Sequence, residues 1–112
     1  MSLDRALGRL QPDAFTEQIL RDVLVLFVRH PGEPLTERDV ARRIGRDTDE
    51  LGLVLPVLAS GFVLDFDRES EVYRYTGDVV LGYEIDAFRR RIDSRQSHIT
   101  SNVARFREHH GP

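Results

Sequence analysis

The chain of 112 residues has no cysteine and no tryptophan. Without cysteine there is no disulfide scaffold, no thiol nucleophile and no cysteine-ligated zinc site. Lysine is also missing, so all 16 basic residues are arginine. Every arginine contact can then be planar and bidentate. No apolar run approaches the roughly 20 residues of a membrane span, so no membrane partner is expected. The stretch 1–10 lacks the apolar core of an export leader, and a cytoplasmic protein is expected. A net charge of −3 provides no general attraction to nucleic acid. No repeat, low-complexity tract or glycine-rich phosphate loop interrupts the chain.

What is present is one domain's worth of core. Leu3, Ala6, Leu7 and Leu10 have helical spacing, weakened by Gly8 and ended by Gln11-Pro12. This N-terminal segment, 1–12, either packs on the body or frays. A firm helix is expected from Ala14 to Arg29, with Asp13 as N-cap and Phe15, Ile19, Val23, Leu26 and Phe27 on one face. His30-Pro31-Gly32 stops it. Thr36-Glu37-Arg38-Asp39 reads as a capping box, with Leu35 and Val40 at the staple positions and Gly45 just past the helix end.

Asp47-Thr48-Asp49-Glu50 is a second box-like start. It opens a helix expected over 47–60, with Leu51, Val54, Leu55 and Leu58 inward. Pro56 should kink this helix at Gly52. Two strands are expected next, Phe62–Asp67 and Val72–Thr76, joined by Arg68-Glu69-Ser70-Glu71. In the first strand Phe62, Leu64 and Phe66 alternate with Val63, Asp65 and Asp67. From Val79 onward Leu81, Ile85, Phe88, Ile92, Ile99, Val103 and Phe106 follow a near-heptad, with Arg95 filling one step. The fold class is therefore mainly α with a small antiparallel β-hairpin and a C-terminal helical extension.

Leu35–Gly45, then Leu51–Leu58, then Gly61-Phe62-Val63 resemble a winged helix-turn-helix domain of the bacterial transcriptional-regulator type. The resemblance covers about 13–76, which sets a domain over 13–78 and leaves 79–112 as a C-terminal dimerisation region. It implies a regulator that binds double-stranded DNA as a homodimer, the third helix reading the major groove and the hairpin touching phosphate. Arg38, Arg42, Arg43, Arg46, Thr48 and Arg68 are the DNA-binding candidates. Leu81, Ile85, Phe88, Ile92, Ile99, Val103 and Phe106 are the dimerisation candidates, unless the region breaks near Asp93-Ser94 into two shorter helices packed on its own domain.

The residues also support an alternative: a winged helix serving as a protein–protein interaction module without DNA. Base reading needs Arg, Lys, Asn or Gln, and none occurs between Asp47 and Ser60. Residues 36–46 hold four arginines against two acids, whereas 47–79 hold two against eight. Phosphate neutralisation dominates DNA affinity, and the acidic half provides little of it. Asp49, Leu53, Pro56 and Val57 would then form the docking patch, unless they are covered by the N-terminal segment or the last helix. Tyr73 and Tyr75 are binding aromatics or sheet packing.

His30, His98, His109 and His110 have no ligand spacing with carboxylates, so no metal and no cofactor are expected. Asp93, Ser97 and His98 crowd one helix and lack a pocket or oxyanion hole, so no catalysis is expected.

Overall fold

A computed structural model describes residues 2–10 and 13–110, with side chains described over 3–10 and 13–95. The architecture is mainly helical with one two-stranded antiparallel sheet. In order it comprises α1 (Ser2–Leu10), α2 (Ala14–Arg29), α3 (Glu37–Ile44), α4 (Thr48–Leu51), α5 (Val54–Ser60), β1 (Asp65–Asp67), β2 (Val72–Arg74) and α6 (Val79–His110).

The helix starts follow local chemistry. Asp13 Oδ1 accepts from the Thr16 N–H at 2.8 Å and opens α2. Thr36 and Asp39 form the reciprocal capping box of α3, each bond 3.1 Å long. Gly45 closes α3 in the left-handed region at φ 70°, where a side chain is disfavoured.

The core draws on nearly every element. Ile19, Leu20, Val23, Leu24 and Phe27 form the buried face of α2. Phe15, expected on that face, lies outside it with 57% of its surface exposed, beneath the Arg46 guanidinium. Leu3 and Ala6 are buried, so α1 packs against α5 and α6 rather than fraying. Leu51, Val54, Leu55 and Leu58 are all buried, matching the inward stripe expected for 47–60.

That stretch is nevertheless two helices, not one kinked helix. Pro56 is the third residue of α5, within the first turn, where a helix N–H needs no intrahelical partner. Helical bonding resumes where Val57 N–H reaches Leu53 O at 3.3 Å. Asp47 does not use its side chain as a cap; its carbonyl accepts from Glu50 N–H at 3.1 Å, while the Glu50 carboxylate serves Arg46.

The hairpin pairs Asp65 with Arg74, Phe66 with Tyr73 and Asp67 with Val72. It is shorter than expected, and its first strand begins at Asp65 because 62–64 end α5. A further bridge joins Leu35 to Tyr73 through two backbone bonds of 2.9 and 2.7 Å, tying the segment before α3 to the hairpin. Tyr73 and Tyr75 are buried, and the Tyr75 hydroxyl donates to Asp78 O at 3.1 Å, so both serve packing.

The C-terminal helix is continuous over 32 residues, about 48 Å at 1.5 Å per residue. Its first half lies antiparallel on α2: Arg21 meets Asp93 at 2.9 Å and Arg95 meets Glu17 at 2.9 Å. Leu81, Ile85, Phe88 and Ile92, expected between two chains, are instead buried in this chain's own core. The reason is geometric, because α2 and α1 already cover that stripe. Ile99, Val103 and Phe106 lie outside the described side chains.

Candidate functional site

Two surfaces carry the sequence candidates: the basic edge around α3, and the α4–α5 unit beside it. At the basic edge the arginines divide into two kinds. Arg43 Nη2 donates to Glu33 Oε1 at 2.7 Å, and this bond holds the Glu33 carboxyl below the usual carboxylate range. Arg46 is half-buried and reaches Asp22 Oδ2 at 3.3 Å and Glu50 Oε2 at 3.3 Å. Its guanidinium also lies 5.5 Å from the centre of the Phe15 ring. Arg46 therefore ties α2 to α4, and a phosphate would have to displace two carboxylates and an aromatic face to engage it.

Arg38 and Arg42 are different. They stand four residues apart on α3, both exposed, and neither forms an ion pair among the described residues, although the Asp39 charge acts on Arg42. Arg68 is exposed at the hairpin tip and is likewise without a carboxylate partner. Thr48 is exposed as the first residue of α4. The six DNA candidates thus reduce to three arginines with free forks and one hydroxyl.

The α4–α5 unit presents the opposite chemistry. Asp49, Gly52, Leu53, Pro56 and Ser60 are exposed. Val57 is half-buried at the edge of the core, so of the apolar docking candidates Leu53 and Pro56 are the freely accessible ones. Leu53 has 66% of its surface exposed immediately before α5, and Phe62 has 78% exposed two residues after its end.

The spacing of residues did not reveal Phe62. It was expected on a strand, yet it occupies the left-handed region at φ 63°. Its N–H bonds Ala59 O at 3.1 Å, and Val63 N–H bonds Leu58 O at 2.9 Å. These two bonds make a Schellman cap with Phe62 at the position that normally takes glycine. Gly61 stands one residue too early, at φ −89°. Val63 and Leu64 are both buried, which breaks the expected strand alternation and leaves Phe62 outside. The adjacent apolar pair Val63-Leu64 after Gly61-Phe62 was the available signal.

Among the described residues, no helix is long and apolar enough to cross a membrane. Asp93 is committed to Arg21 and Arg89, and Arg21 above all holds its carboxyl below the usual range. The side chains of Ser97, His98, His109 and His110 lie outside the described residues. Comparison with family models, with curated proteins and with solved structures finds no match to this chain.

Proposed function

We propose that this chain is a winged-helix-type module that docks a protein partner through its α4–α5 unit. The order of helix, capped helix, interrupted third helix and hairpin supports the architectural reading, as does the Leu35–Tyr73 bridge at the hairpin base. The observation that carries the docking reading is the exposure of Leu53 and Phe62 at the two ends of a helix that bears no basic residue. Covering a large apolar side chain is favourable by about 1.5–3 kcal/mol. Two such anchors are of hot-spot size for a protein interface.

The test is affinity capture from source cells with quantitative mass spectrometry. A partner retained by the wild type should be lost with Leu53→Ser/Phe62→Ser and kept with Arg38→Ala/Arg42→Ala. Loss with the arginine pair and retention with the apolar pair would overturn the assignment.

A second reading, a DNA-binding transcriptional regulator, is favoured by Arg38, Arg42 and Arg68, which form no ion pair among the described residues. Both readings accommodate a homodimer. In register with α2, α6 passes the start of α2 near residue 99 and continues to His110. The sequence spacing of Ile99, Val103 and Phe106 continues the apolar repeat there. Sedimentation should show a dimer that Val103→Asp/Phe106→Asp converts to a folded monomer. A wild-type monomer at high micromolar concentration would remove the dimer.

A further inference from the structure

The groove between α2 and α6 shares no residue with the α4–α5 unit. It encloses about 400 Å³, within the range of small-molecule sites. Val25 and Val28 from α2, with the edge of the largely buried Ile85 from α6, supply the apolar part of the lining. Gly82 contributes no side chain to the α6 wall, and a Cβ there would meet the Tyr75 hydroxyl at 3.3 Å.

The charges around this lining are unequal. Three guanidiniums border the groove, against the single carboxylate of Asp86. Two of them are already engaged. Arg21 donates Nε and Nη2 to the two Asp93 oxygens at 2.9 and 3.2 Å. Arg89 donates to Asp86 at 2.8 Å and to Asp93 at 3.2 Å. Arg29, in the last turn of α2, has no carboxylate partner among the described residues.

We propose that this groove binds a small amphiphilic carboxylate, its aliphatic body on Val25, Val28 and Ile85 and its acid group on Arg29. One free planar fork matches one carboxylate in a bidentate pair. The engaged state of Arg21 and Arg89 disfavours a polyanion, which would need several free donors. The apolar lining disfavours a small hydrophilic anion, which would leave Val25 and Val28 in water.

Amide-resolved NMR titration of the full chain with sodium octanoate tests this, with 1-octanol as the uncharged comparison. Octanoate should shift the amides of Val25, Val28, Arg29 and Gly82. Arg29→Gln should weaken octanoate by about two- to fivefold, the scale of a solvent-exposed ion pair. It should leave 1-octanol unchanged. Arg29 is exposed, so the variant is expected to fold, and its own spectrum checks that. Equal octanoate affinity in Arg29→Gln would overturn the proposal. So would millimolar octanoate that leaves these amides unmoved, or shifts confined to the surroundings of Leu53 and Phe62.

Discussion

Phe62 combines two unfavourable features in one residue: a left-handed backbone and an aromatic ring largely in water. The left-handed region disfavours a non-glycine residue by roughly 1–2 kcal/mol. Glycine gives back part of that through its greater unfolded entropy, roughly 0.5–1 kcal/mol. Phe62→Gly should therefore stabilise the fold by up to about 1 kcal/mol, raising the melting temperature by a few degrees. The same variant should lose affinity for the partner, and a melting temperature unchanged or lowered would show that the cap is not strained. Strain at an exposed aromatic is a pointer to function, since nothing in the folding of α5 requires a ring there. The single-residue signals that were legible are those acting through bonds to neighbours: Asp13, the Thr36–Asp39 box and Gly45. Phe62 was not legible because Gly61 sits beside the capping position and invites the opposite assignment.

At the scale of elements, burial followed apolar periodicity closely. Leu51, Val54, Leu55 and Leu58 point inward whether 47–60 forms one helix or two. The break itself was read as a kink because Pro56 was counted from Asp47, as a mid-helix residue. Counted from Leu53 it is a first-turn proline, with no lost bond. The two placements predict opposite signs for Pro56→Ala. A mid-helix proline is destabilising by about 3 kcal/mol, so its removal would stabilise strongly. At a compatible first-turn site, removal should instead lower stability by about 0.4–1 kcal/mol through the freer unfolded chain. Urea unfolding of the two proteins distinguishes these outcomes. The stripe of α6 was also legible, but not what covers it. Periodicity says that a face is buried, and only the antiparallel register set by Arg21–Asp93 and Glu17–Arg95 shows that α2 does the burying.

At the scale of the whole molecule, charge placement separates what the two functional readings predict. Sequence counting puts four arginines in 36–46 and treats them as equally available. Folding withdraws Arg43 and Arg46 into ion pairs with Glu33, Asp22 and Glu50, of which only the i,i+4 pair Arg46–Glu50 is local in the sequence. What remains for phosphate is Arg38, Arg42 and Arg68, next to a third-helix region that carries acids and exposed apolar side chains. The most direct measurement is fluorescence anisotropy of the wild-type chain against random-sequence duplex DNA at low and at physiological salt. The docking account predicts no saturable binding at micromolar protein even at low salt. Binding that weakens with salt with a log–log slope near −2.7, the value for about three phosphate contacts, would contradict it. Loss of that binding in Arg38→Ala/Arg42→Ala would then place DNA at the α3 edge.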